Sequence, residues 1–251
     1  MEERLQNLLY RNPELYDQVY GGSHHQDVLL CERAVDRHLG GMPASLLDVG
    51  CGTGEDVAYF TARGVDAVGV DLQPRMLEHA ARKFPHAVFI EADMRHLQLD
   101  RCFEAIVSFG YAVSNLHSDR DVTAALDSLA RHARPGTLLL LEALTFQPEM
   151  PVALPTRFTI ETAALHATAE ADYEVDPVSR LLHRRRVWRD EAGEPAAEDF
   201  ARFRMFSPEE AGRLLGAAGF ELLELHDRHS PDAEGLSSGI MVTTSRYTGI
   251  R

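Results

Sequence analysis

Three aspartates and three glycines in this chain are spaced as the edge of a nucleoside site requires. Leu46-Leu47-Asp48-Val49-Gly50-Cys51-Gly52-Thr53-Gly54-Glu55 reads as a strand that runs into a Gly-x-Gly-x-Gly turn and opens a helix. Glycines there allow positive φ and let a ligand approach the backbone. The helix start beyond them offers unpaired N–H groups to an anion. Asp71, seventeen residues after Gly54, ends the next strand, where a carboxylate can accept both hydroxyls of an adenosine ribose. Asp93, in Glu91-Ala92-Asp93-Met94, follows the third strand, placed to accept an adenine amino group with Met94 against the ring. A dinucleotide site would carry a third glycine where Glu55 stands. A carboxylate at that point disfavours a diphosphate and suits a cofactor without phosphate. The glycines alone would mean only a tight turn; Asp48, Asp71 and Asp93 at strand ends on one edge make a site of it.

Two further groups on that edge could move a proton. His117 follows the fourth strand in Tyr111-Ala112-Val113-Ser114-Asn115-Leu116-His117, and Glu142 ends the fifth. For His117, one of twelve histidines, a surface-loop position competes with a catalytic one. For Glu142, the alternatives are orienting a substrate amine or capping a helix. A run of cations, His183, Arg184, Arg185, Arg186 and Arg189, lies on one predicted strand. By period two, Arg184 and Arg186 share a face with Trp188, while Arg185 and Arg189 point away. That cluster fits a phosphate or carboxylate seat, with Arg202 and Arg204 on the next strand keeping that idea alive. The alternative, and the reading preferred here, is a solvated face paired with Glu170, Asp172 and Glu174, or an oligomer contact. Cys31, Cys51 and Cys102 are too few and too scattered for a disulfide framework or a zinc site, so no metal is expected.

The elements that must position these groups are legible from punctuation and apolar runs. Strands are predicted at 45–49, 66–70, 87–90, 103–108 and 137–142, alternating with helices at 55–63, 74–83 and 119–132. Pro74 suits a first helical turn, and Pro135-Gly136 stops a helix. The pattern predicts an α/β fold: a doubly wound, mostly parallel seven-stranded sheet with helices on both faces and a small antiparallel β insert. Residues 1–43 read as a helical lid broken at Pro13 and hinged at Tyr20-Gly21-Gly22-Ser23, with a packing arm as the alternative. Residues 44–150 form the cofactor-binding core. Residues 151–206 read as the insert, with strands at 157–175, 181–189 and 199–206, although 162–171 is ambiguous between strand and helix. Residues 207–251 supply a helix capped by Ser207 and Pro208, then a strand pair, 220–226 and 239–245, that completes the core. The net charge of −14 over 251 residues works against a general phosphate-backbone binder. No apolar run approaches a membrane span, and the Met1-Glu2-Glu3-Arg4 start lacks a secretory pattern. The expectation is a cytoplasmic protein with a small-molecule partner, no nucleic acid and no membrane, and a homodimer left open.

These motifs resemble the Rossmann-like S-adenosylmethionine-dependent methyltransferases, in particular the small-molecule members that methylate amino-sugar nitrogens. The resemblance rests on Asp48–Glu55, on Val68–Asp71 with Gln73-Pro74-Arg75-Met76, and on Ala92-Asp93-Met94. It covers about residues 44–145, and 207–245 more loosely. It implies S-adenosyl-L-methionine as cofactor, with S-adenosyl-L-homocysteine as product, laid over the C-terminal edge of the sheet. Gly50 and Gly52 would back its methionine part and Asp71 its ribose. Leu72, Met76, Asp93 and Met94 would hold the adenine, and Ser108 and Phe109 would face the methyl group. Tyr16-Asp17-Gln18-Val19-Tyr20 resembles the aromatic entry of the same enzymes, where a tyrosine closes over the cofactor; Tyr16 or Tyr20 would do so here, or both would simply pack the helix. The implied activity is methyl transfer to an amine. An oxygen or carbon of a phenolic or indolic acceptor, a peptide α-amine and a silent cofactor-binding scaffold remain the alternatives.

Overall fold

Leu46 and Leu47 are adjacent and both fully buried, which a strand achieves only when its two faces are both covered. The computed structural model describes residues 7–21, 24–147, 154–161, 166–232 and 235–249 and shows that covering. Strand β1 (Ser45–Val49) lies centrally between β2 (Asp66–Asp71) and β4 (Phe103–Ser108), parallel to both. Beyond β2 lies β3 (Val88–Glu91), and beyond β4 lies β5 (Ala133–Thr145), again parallel. On the far edge of β5, β11 (Ile240–Tyr247) runs antiparallel and pairs in turn with β10 (Phe220–Asp227). The core sheet is therefore seven-stranded, in the order 3-2-1-4-5-11-10. Leu46 faces one apolar layer, packed by α3 (His24–Leu39), α4 (Glu55–Thr61) and α5 (Pro74–Lys83) through residues such as Val35, Phe60 and Leu77. Leu47 faces the other layer, packed by α6 (Asp119–Arg131) and α7 (Pro208–Ala217) through Leu126, Leu129 and Leu215. Because the strand order reverses at β1, the loops after β1 and β4 part from each other and leave a crevice at the C-terminal edge.

The insert departs from its predicted outline. The single strand predicted at 157–175 is two antiparallel strands, β6 (Arg157–Glu161) and β7 (His166–Asp176), in register from Arg157 opposite Glu170 to Glu161 opposite His166. A nineteen-residue strand would exceed the usual length of three to ten, so the chain doubles back. The ambiguous stretch is strand from His166 onward; 162–165 lie outside the described residues. The meander continues through β8 (Leu181–Arg189) and β9 (Pro195–Phe206). The end of β9 pairs with Leu144 and Thr145 of β5, on the edge that β4 has already vacated. The insert thus grows out of the crevice itself. Two short helices, α1 (Leu8–Arg11) and α2 (Pro13–Tyr20), roof it, with Leu9 packed among Ile160, Ala169 and Trp188. Among the described residues no helix is long and apolar enough to cross a membrane.

Candidate active site

The turn after β1 is stapled to the neighbouring strand, since Gly50 and Cys51 both donate to the Val70 carbonyl, at 2.8 and 3.1 Å. Gly50 has φ +82°, and a Cβ there would stand 2.7 Å from the Ala112 side chain, so only glycine keeps this wall flat. Gly54, also at φ +82°, has another duty: a Cβ would strike the Phe89 ring at 2.5 Å. It lets the start of α4 pack on β3 and does not line the crevice. Tyr16 of α2 lies over Gly52, its hydroxyl 3.9 Å from where a Cβ would be. Tyr10 and Tyr20 flank it, with ring centres 6.1 and 5.0 Å away.

A cavity opens beside this turn. Asp71, Leu72, Met76, Ala92, Asp93 and Met94 line one end. Asp71 accepts from Gly52 N at 2.9 Å and from Gln73 N at 2.8 Å, one oxygen each, so each oxygen keeps a lone pair for a hydroxyl. Burial raises its carboxyl above the usual range and these N–H groups pull it back. Asp93 lines the same end with its carboxylate clamped by Arg95, whose Nε sits 3.0 Å from Oδ1.

A second cavity shares Tyr10, Tyr16, Gly50, Gly52, Phe109 and Gly110 with the first. Asp27, Asp48, Asp56, Glu142 and Arg228 line it together. Arg228 pairs with Asp27 and, at 2.9 Å through Nε, with Glu142 Oε2. Glu142 Oε1 accepts from Tyr111 N at 3.1 Å, so both of its oxygens are engaged. That bond holds Tyr111 in the left-handed region at φ +44°, with its ring edge-on to Phe203 at 5.5 Å. Burial pushes Asp27 up to about 8; Arg228 opposes this, and Asp56 and Glu142 reinforce it. Burial, then Asp56 and Asp27, raises Asp48 well above the usual range. These raised carboxyls give up their protons more readily once a cation enters, which suits the basin to a positively charged ligand.

Residues 46–136 match the family model described as a methyltransferase domain. The chain is 39% identical to a dTDP-3-amino-3,4,6-trideoxy-α-D-glucopyranose N,N-dimethyltransferase of Streptomyces venezuelae, over 41% of this chain and 44% of that protein. It is 28% identical to a dTDP-3-amino-3,6-dideoxy-α-D-glucopyranose N,N-dimethyltransferase of Streptomyces fradiae, over 90% of this chain and 89% of that one. Among solved structures, the sugar N-methyltransferase KedS8 from Streptoalloteichus superposes with a TM-score of 0.73 at 23% identity, covering 87% and 86% of the two chains. The chain is a class I S-adenosylmethionine-dependent methyltransferase.

The residues of this methyltransferase fit that cofactor on their own geometry. The bare Gly50 and Gly52 wall, the two spare lone pairs of Asp71 and the buried, unbonded Nη1 of Arg228 await a ligand with a sugar, a cation and a carboxylate. Of the predicted site residues, Tyr16, Tyr20, Asp48, Gly50, Gly52, Asp71, Leu72, Met76, Ala92, Asp93, Met94, Phe109 and Glu142 line the joined cavities. Three do not. Gly54 packs on Phe89, and Ser108 is buried beneath the edge, its hydroxyl donating to the Val49 carbonyl at 2.8 Å. His117 is carried away by the 3₁₀ turn Ala112–Asn115 and faces an outer cleft, its Nε2 2.9 Å from the Arg202 carbonyl oxygen. The preferred reading of the arginine strand is also corrected. Arg184 and Arg186 face inward with Trp188 and pair with Asp199 of β9, while Arg185 and Arg189 pair outside with Glu198 and Glu170. Sequence reasoning passed over Tyr10, Asp27, Asp56, Tyr111 and Arg228, which come from segments with no shared spacing. The tyrosine at position 10, one helix before Tyr16, was the only signal of that group in the amphipathic N-terminal pattern.

Proposed function

We propose that this methyltransferase methylates the amine of an amino sugar presented as a nucleotide-linked sugar. The observation that carries this is the extent of the likeness to the Streptomyces fradiae enzyme. An alignment over 90% of the chain leaves too few residues outside it to omit the insert, which lies beyond the reach of the family model at 136 and walls the second cavity, the acceptor cavity in this reading. An oxygen or carbon acceptor is less favoured: two relatives aligned over 78% or more of both chains are named for amines.

The bound cofactor supplies a methyl group on a cationic sulfur, transferred in line to a nucleophile. The protein's part is orientation and exclusion of water. Gly50 and Gly52 give the backing wall, Asp71 fixes the ribose, and Asp93 and Met94 frame the adenine. Tyr16 and Tyr20 cover the turn, and Phe109 with Gly110 sits where the two cavities meet. An amine arrives as an ammonium and attacks as a free base. Glu142, immobilised by Tyr111 and Arg228, orients it, and Asp27, pushed up to about 8, accepts its proton in the ionised fraction, which grows as pH rises through 8. The three free thiols support a cytoplasmic enzyme, and the −14 charge supports one that works apart from nucleic acid. The test is incubation with S-adenosylmethionine and nucleotide-linked amino and hydroxy sugars, read by mass. Gains of one or two methyl groups on the amino sugar alone are expected; transfer only to hydroxy sugars would overturn the reading.

A further inference from the structure

Besides Arg228, which suits the cofactor's carboxylate, the acceptor cavity is lined by a second cation that an amine cannot use. Arg184 on β8 is 5% exposed and lines that cavity. Its Nη2 donates to Asp199 Oδ1 at 2.9 Å. Asp199 is itself heavily shared: Oδ2 accepts from Arg186 Nε at 3.0 Å, Arg186 Nη2 at 2.8 Å and Trp188 Nε1 at 2.7 Å. Two buried guanidiniums against one carboxylate leave a unit of positive charge inside the protein, a costly arrangement without a counter-charge. Arg186 is the more heavily engaged, since its Nη2 also donates to Asn7 Oδ1 at 2.8 Å, and it does not line the cavity. Arg184 is the guanidinium with capacity to spare, because its Nε has no hydrogen-bond partner among the described residues.

The groups around Arg184 are donors. Tyr10 and Tyr111 line the same cavity, and neither phenol has a hydrogen-bond partner among the described residues. Burial raises both phenols, so they stay protonated and can donate. Phe203 closes the wall, its ring centre 5.5 Å from the guanidinium carbon. Of the carboxyl groups that line the cavity, Asp27 and Glu142 pair with Arg228 instead, and the cavity's lining offers Arg184 no carboxylate of its own. A buried, half-compensated guanidinium beside two free phenols is a seat for an oxyanion.

We propose that Arg184, with Tyr10 and Tyr111, binds an oxyanion carried by the acceptor, so the enzyme selects molecules that bear an amine and, separately, a phosphate or carboxylate. This deepens the amino-sugar reading and rests on it for the amine. Such an oxyanion has two sources, the diphosphate of a nucleotide-linked sugar or the carboxylate of an amino sugar acid. A product still carrying its diphosphate would then be consumed by a glycosyl-transfer reaction.

The test compares one amino sugar in three forms, free, diphosphate-linked and carboxylated, with the wild-type enzyme, Arg184→Gln and Arg184→Lys. Wild type should favour one anionic form over the free sugar at least tenfold in kcat/KM, and which form wins identifies the source. Arg184→Gln should raise KM for that form about 100-fold, at least tenfold more than for the free sugar, with S-adenosylhomocysteine affinity within twofold; Arg184→Lys should recover part of the loss. Equal losses for free and anionic forms, or no preference in wild type, would overturn the proposal. If Arg184→Gln does not fold, Tyr10→Phe and Tyr111→Phe carry the same comparison, with an expected threefold to tenfold rise in KM confined to the anionic form. If no amino sugar is methylated at all, the functional reading fails separately from this one. Calorimetry of inorganic pyrophosphate against the S-adenosylhomocysteine complex then decides: binding lost in the Arg184 or tyrosine variants supports the seat, and no binding to wild type overturns it.

Discussion

Asp71 is asked to hold a ribose with the lone pairs left after Gly52 and Gln73 have taken theirs. Replacing it with alanine removes two charge-assisted hydrogen bonds of about 1.5–3 kcal/mol each and strands two N–H groups. Asp71→Ala is therefore expected to weaken S-adenosylhomocysteine binding on the order of 100-fold by calorimetry; unchanged affinity would place the sugar elsewhere. Asp27 makes a prediction of opposite character. Its carboxyl is raised to about 8 by burial, against the pull of Arg228 and with Asp56 and Glu142 pushing the same way. A carboxyl raised in the folded state binds its proton more tightly there than in the unfolded chain. The ligand-free protein thus loses stability from this site as pH climbs from about 4 to 8, and regains none above. A cation in the basin reverses that trend. S-adenosylmethionine, with its charged sulfur, should gain affinity over neutral-sulfur S-adenosylhomocysteine between pH 6 and 9. Asp27→Asn should flatten that pH dependence; a wild-type affinity ratio that does not change with pH would detach the carboxylates from the cofactor.

Among the elements, the insert sheet depends on a charged residue in the way a core depends on a leucine. Asp199 is 1% exposed and serves two arginines and Trp188. Asp199→Ala leaves both guanidiniums buried without a carboxylate, a change that costs about 3–5 kcal/mol in comparable buried pairs. A drop of several degrees in Tm is expected, whereas Glu198→Ala, which removes only the outward partner of Arg185, should leave Tm nearly unchanged. On the other side of the crevice, α2 is strapped to α5 through Asp17, which meets Lys83 at 2.6 Å and His79 at 2.9 Å. Lys83→Ala should speed S-adenosylhomocysteine release a few-fold in stopped-flow measurements while barely moving Tm, since half-exposed ion pairs contribute little to global stability. These two elements also show what a sequence can disclose. The alternation of apolar strands with proline- and glycine-bounded helices is local, so α5 was predicted at its observed residues and β1 and β4 likewise. Period two correctly put Arg184, Arg186 and Trp188 on one face but could not say that Asp199 rather than solvent lay against it. His117 looked placed at the sheet edge because sequence distance hides the 3₁₀ turn that removes it. The Asp27–Arg228–Glu142 group joins positions 27, 142 and 228, and only the folded sheet brings those together.

The whole molecule meets its acceptor first as a charge. At −14 it repels an anionic nucleotide-linked sugar over distances of a Debye length, about 30 Å at 0.01 M salt and about 8 Å at 0.15 M. The cation proposed to receive that anion, Arg184, is buried inside the cavity and reaches it only after entry. Salt therefore acts on the two stages unequally: it screens the long-range repulsion outside and leaves the desolvated contact inside mostly intact. For a diphosphate-linked amino sugar, kcat/KM should rise a few-fold between 0.01 and 0.15 M sodium chloride and then level off. For the free amino sugar, a cation drawn toward the acidic surface, the same titration should give a fall. Initial rates at acceptor concentrations well below KM, with saturating S-adenosylmethionine, separate the two. A fall for the diphosphate-linked acceptor over that range would mean that a positive field at the mouth of the cavity, rather than the net charge of the chain, governs its arrival.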